Sequence, residues 1–193
     1  MLRKPLRYIL LIIITILSLR GAASAVDRHQ TESAATTNGA RTLTATEAAK
    51  FLPDAVFFRG QSAPIQARNS GGVQFNKDAL LLITLVDTAG YSSSVQEKYQ
   101  AYLITEAPID IDGHRLPPGA YGCGFVAGNA FIVMDIGGHD LFSARSVKDI
   151  TLHRPTPLQV LPAPDGTGYR IYAGRDYVDF AQSQMSNTPS LHP

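Results

Sequence analysis

Cysteine occurs once in the 193 residues and tryptophan not at all. A lone Cys123 forms no disulfide within the chain and supplies no paired-thiolate zinc site, so neither a disulfide framework nor a Cys-based metal knuckle is open to this sequence. No cluster of lysine or arginine follows residue 25. That absence argues against a nucleic-acid partner, because releasing counterions from phosphate needs a clustered basic face. Catalytic signatures are missing too: the sequence holds no G-x-S-x-G, no H-x-H or H-E-x-x-H, and no Ser-x-x-Lys, Lys98 standing one position late after Ser94. The longest apolar run, Ile9 to Leu19, falls well short of the roughly 20 residues needed to span a bilayer as a helix.

That run has a different meaning. It follows Arg3, Lys4 and Arg7 and precedes Ala23-Ser-Ala25, the order of a secretory signal with an A-x-A cleavage site. Residues 1–25 are therefore expected to be a signal peptide, and the protein to be exported, periplasmic or secreted. Tethering by an uncleaved signal is the alternative, and no membrane span is expected after cleavage. Cleavage removes four cations and no acid from a chain of net charge +1, leaving it about three charges negative.

From 26 to 43 the chain is rich in Thr, Ser, Ala, Asn and Gly, too polar to repay its ordering entropy, and is expected to be a flexible leader. Residues 182–193 read as a flexible tail for the same reason. Between them, 44–181 should form a single β-rich domain. It opens with Thr44-Ala-Thr-Glu47, a capping box ahead of one short N-terminal helix that stops by Pro53. Beyond it, all but two of the 16 glycines punctuate short segments rich in β-branched and aromatic residues. An all-β, mainly antiparallel fold follows, a β-sandwich or partly closed barrel. Ala79 to Val86 is nearly all apolar, as in a strand buried on both faces. Turns are expected at Asn69-Ser-Gly-Gly72, at Asp112-Gly113 and, as type II′, at Gly128-Asn129; Thr151 to His153 reads as a strand.

Chemistry-bearing residues fall in three groups. The stretch from Asp87 to Tyr99 offers Tyr91, Lys98 and Tyr99 with several hydroxyls, a composition suited to recognition; the other reading has the tyrosines covering the core. Arg59 and Arg68 stand near the ends of their strands, lining either a cleft or the solvated side of a sheet. His114, His139, Asp135 and Asp140 are the weak metal candidates, without ligand spacing, and solvated turn residues are the simpler account. Gly122-Cys-Gly124-Phe-Val-Ala127 echoes a dinucleotide fingerprint in the wrong context, since it lies within a strand. Its glycines read as close strand contacts or a bulge. No cofactor is expected.

The run Phe57-Phe-Arg-Gly-Gln61 through Arg68-Asn-Ser-Gly-Gly72, with Leu116-Pro-Pro-Gly119-Ala-Tyr121, resembles small exported bacterial β-rich proteins of an uncharacterised family. The resemblance implies a β-rich envelope protein and transfers no catalytic residue. The expected function is a non-enzymatic binding or structural module of the bacterial envelope, taking a small molecule, glycan or envelope protein. An exported hydrolase with carboxylates or a metal site assembled from separate strands is the alternative.

Overall fold

Alternation along the strands places the core, and the computed structural model shows which elements carry it for residues 39–183. The expected signal peptide, most of the leader and the tail beyond Ser183 lie outside the described residues. In chain order the elements are β1 (Arg41–Leu43), α1 (Ala45–Ala48), β2 (Ala55–Phe58), β3 (Gln61–Asn76), β4 (Ala79–Val86), α2 (Ser93–Gln96) and β5 (Ala101–Thr105). Then follow β6 (Ile109–Ile111), β7 (His114–Leu116), β8 (Gly119–Val126), β9 (Ala130–Met134) and β10 (Asp140–Arg145). The chain closes with β11 (Val147–Lys148), β12 (Thr156–Pro162), β13 (Tyr169–Gly174) and β14 (Asp176–Gln182).

Every ladder is antiparallel, and the strands form two open sheets. The larger runs β1-β3-β4-β5-β8-β9-β10 with β2 added on β3; the smaller runs β12-β13-β14-β6-β7 with β11 added on β14. The fold is thus an all-β sandwich, and neither sheet closes into a barrel. Leu81 and Ile83 of β4, Leu103 of β5, Cys123 of β8 and Val133 of β9 meet Ile109, Ile111, Ile171 and Val178 of the facing sheet in the main core. The outer face of the larger sheet is buried as well. Leu82 packs there with Leu43 and Ala48, and Val86, Tyr102 and Met134 pack under Val56, Phe58, Tyr91, Val95 and Tyr99. Burial on both faces is why β4 has no polar alternation.

Several boundaries differ from expectation for physical reasons. Arg41–Leu43, assigned to the leader, pairs with β3 and buries Leu43. Gln182 belongs to β14 and not to the tail, and the Ser183 N–H donates to the Pro108 carbonyl. Asn69 to Gly72 does not turn. β3 runs through it with a register shift between Gln66 and Ser70, because Gly72 lies against the Leu81 backbone and Gly71 against Val160. At 128–129 both residues are left-handed, φ 83° and 57°, where type II′ needs only the first. Thr151–His153 forms no strand; the Asp149 carboxylate instead accepts the Thr151 and Leu152 N–H groups in a turn. The helix ends after Ala48, although its capping box forms as expected. Among the described residues no helix is long and apolar enough to cross a membrane.

Candidate functional site

The β2–β3 hairpin turns through Arg59 and Gly60, both with positive φ, 48° and 78°. Its tip is pinned from two sides. The Arg59 N–H donates to the Ile136 carbonyl at 2.8 Å, and the Tyr91 hydroxyl donates to the Phe58 carbonyl at 3.0 Å. Phe58 stacks on Tyr99 with ring centroids 3.8 Å apart, and Tyr91 meets Tyr99 edge-on at 5.3 Å. This aromatic layer lies flat on β8 only because residue 122 is glycine: a Cβ there would stand 2.9 Å from Phe58 Cζ and 3.0 Å from Tyr99. Gly122 thus makes room for the two rings, and Gly124 lies against the Lys98 carbonyl and the Gln100 side chain.

Beside the tip, residues 135–139 form a tight turn closed by Asp135 and His139. The Asp135 N–H donates to the His139 carbonyl at 3.0 Å, and the Asp135 carboxylate accepts the His139 N–H at 2.9 Å. It also holds the ring, with Oδ2 2.9 Å from Nδ1. The backbone N–H of His139, followed by its ring, keeps the Asp135 carboxyl below the usual range. With Nδ1 engaged, Nε2 is the imidazole nitrogen left for other contacts, on a side chain 81% exposed. Gly138, at φ 84°, is the seat of Arg59: a Cβ at 138 would collide with Arg59 Cδ and stand 2.6 Å from its Cγ and 3.0 Å from its Nε. One residue past His139, Asp140 pairs with Lys98 at 2.6 Å and ties β10 to the end of the 87–99 segment.

One corner therefore gathers Arg59, Lys98, Asp135, His139 and Asp140 from three stretches of chain. The other sequence candidates lie elsewhere. Tyr99 is fully buried and Tyr91 nearly so, so both brace the corner from beneath. Burial pushes both phenols up from their ordinary pKa, and the Tyr99 hydroxyl has no hydrogen-bond partner. Arg68 sits in the irregular stretch of β3, lining a groove of about 310 Å³ with Ser70, Thr156 and Gln159. His114 stacks on Phe142 at 4.6 Å and 7°, joining β7 to β10 across the edge of the sandwich. Asp135 and His139 are the two metal candidates that meet; Asp140 is engaged by Lys98. Among the described residues no group of three or more His, Cys, Asp or Glu side chains is placed to hold a metal ion.

An imidazole oriented through Nδ1 by a carboxylate is half of a general-base arrangement. Among the described residues, no Ser, Thr or Cys side chain hydrogen-bonds to His139. Sequence reasoning missed Gly138, Ile136 and Leu141 here; the Gly137-Gly138 pair was the available signal. A separate cleft of about 780 Å³ is lined by Arg41, Thr167, Tyr169 and Gln182. A recess of about 180 Å³ shares Tyr169 and adds Asp110, Asp112 and Asp179. These side chains come from four separate stretches and leave no local sequence pattern. Comparison of the chain with protein-family models, with curated proteins and with solved structures gave no match.

Proposed function

We propose that this chain is an exported, non-enzymatic binding module of the bacterial envelope whose contact surface is the Arg59–Lys98–His139 corner. The observation that carries the reading is the construction of that corner. Three segments distant in sequence are joined by the Arg59 N–H bond to the Ile136 carbonyl, the Tyr91 hydroxyl bond to the Phe58 carbonyl and the Lys98–Asp140 ion pair, over a buried aromatic layer. Rigid presentation of exposed polar groups lowers the ordering cost of binding. Apolar area accompanies the charge: Phe57 is 57% exposed, Ile136 50% and Leu141 48%. Interfaces commonly combine such apolar anchors with a polar rim. Export rests on the pattern of residues 1–25.

The test is a thermal-shift screen of the purified protein against sugars, peptidoglycan fragments and metal ions, with the Lys98→Ala/His139→Ala double variant alongside. A ligand that binds only the folded state stabilises it by RT ln(1 + L/Kd), L being the free ligand concentration, so the melting temperature climbs as L exceeds Kd. At least one compound should raise the wild-type Tm by several degrees and leave the double variant unmoved. A shift that persists undiminished in the variant removes the corner from the reading. Breakdown products of the compound in mass spectra would instead favour the hydrolase alternative.

A further inference from the structure

Among the described residues three non-glycine positions adopt left-handed φ: Arg59 at 48°, Asp112 at 50° and Asn129 at 57°. Asp and Asn are residues that tolerate this region, because their short polar side chains bond locally. Arginine is not, and the first position of such a hairpin turn ordinarily goes to Asn, Asp or Gly. A long cation thus stands where the backbone disfavours it. Its stem is seated on Gly138, which itself must be glycine for φ and for space.

The charge balance around it is uneven. Both local carboxylates are committed, Asp135 to the ring and N–H of His139 and Asp140 to the Lys98 ammonium at 2.6 Å. Among the described residues Arg59 forms no ion pair, and the only hydrogen bond it donates is from its backbone N–H. Among the described residues its guanidinium is therefore an uncompensated donor fork, its stem seated on Gly138 and the His139 side chain on the next residue. A guanidinium fork matches a carboxylate or phosphate by two parallel N–H···O bonds.

Resting on the binding-module reading, we propose that the corner recognises an anionic oxygen group, a carboxylate or phosphate carried by the ligand. Arg59 is the donor, through its guanidinium fork. The backbone supplies an unusually clean variant, since Arg59→Gly removes the fork and also suits φ 48°. Arg59→Asn serves as the second replacement that the turn accepts.

The experiment follows backbone amide NMR shifts of the intact protein on titration with inorganic phosphate, glucuronate and, as neutral control, glucose. Phosphate or glucuronate should move the amides of Arg59, Gly138 and His139 while glucose does not. Both Arg59→Gly and Arg59→Asn should melt near the wild-type temperature and bind about tenfold or more weakly, with Arg59→Lys between them. A response to phosphate alone assigns a phosphorylated ligand, and to glucuronate alone a uronic-acid one. Failure of both anions to move these amides, or binding retained in both replacement variants, overturns the assignment. If that happens while screen hits still depend on Lys98 and His139, the binding module stands and only the oxyanion specificity falls.

Discussion

On its inner face the larger sheet meets a second sheet mainly through aliphatic side chains, with Phe75, Tyr121, Phe131 and Phe180 among them, whereas its outer face is covered by a hairpin and a loop that lay Phe58, Tyr91 and Tyr99 over Tyr102. The inner layer is an interdigitation of regular strands. The outer one depends on rings that span the gap between irregular chain and sheet, and on glycines that let them approach. The difference shows how a sandwich builds a rigid exposed corner: the segments that carry it are anchored by their own core, and need not be part of a ladder. The sharpest way to break this comparison is to remove one ring from each layer. Phe58→Ala and Phe131→Ala should each cost about 3–5 kcal/mol in denaturant unfolding, because both side chains are fully buried. If Phe58→Ala costs under about 1 kcal/mol, the outer layer is a loose cover and the corner is not preorganised. Cys123 reports on the inner side, its thiol buried and pushed up from its ordinary pKa by desolvation. It should resist alkylation in folded Phe58→Ala and react sooner in Phe131→Ala.

The next largest effect belongs to Gly122. An added methyl there meets Phe58 Cζ at 2.9 Å and Tyr99 at 3.0 Å, so Gly122→Ala should lose about 1–3 kcal/mol by overpacking. A neutral outcome in chemical denaturation would mean that the aromatic layer shifts freely and is not seated on β8.

Glycine also marks the limit of what the residues disclose unaided. β4 and β6 are legible to the residue, because a continuous apolar run and an Ile-x-Ile step before Asp-Gly have few other uses. At Gly71-Gly72 the same residue type means close packing and not a turn, which only the neighbouring strands decide. Asp140–Arg145 is unannounced, having no β-branched residue, yet it pairs along β9. For the corner, Asp135 and His139 are near in sequence and can be paired by eye. Arg59 and Lys98 join them through tertiary contacts, and Tyr91 and Tyr99, which read either as contact residues or as cover for the core, are buried and serve as the floor.

That floor contains two phenols in opposite situations, which separates hydrogen bonding from ring packing. The Tyr91 hydroxyl donates to the Phe58 carbonyl at 3.0 Å, while the Tyr99 hydroxyl is buried without a partner. Tyr91→Phe should cost about 1 kcal/mol, the net worth of one bond with its acceptor left in place. Tyr99→Phe should stabilise by about 1 kcal/mol, since it deletes a desolvated, unsatisfied group and keeps the stack on Phe58. Equal signs in the two melting curves would show that the rings, not their hydroxyls, set the stability of the outer layer.

The smallest effect concerns the remaining cover of the outer face, where α1 sits over Leu82 through Ala48. Its capping box is electrostatic and exposed, the reverse of the aromatic layer. The Thr44 N–H first, then the Arg41 side chain and the Thr44 hydroxyl, hold the Glu47 carboxyl down from 4.5 to about 2. A folded pKa below the unfolded one means that the box favours folding fully above about pH 4.5. That contribution is lost as pH falls toward 2. A carbon-detected NMR titration of the Glu47 carboxyl should therefore give a midpoint near 2. Arg41→Ala should raise it part of the way back, because the Thr44 N–H, the larger influence, remains. The aromatic layer has no carboxylate among its members, so shifts of Phe58 and Tyr99 should stay flat over the same range. If they move with the Glu47 midpoint, the two covers open together and the outer face is one cooperative layer rather than two.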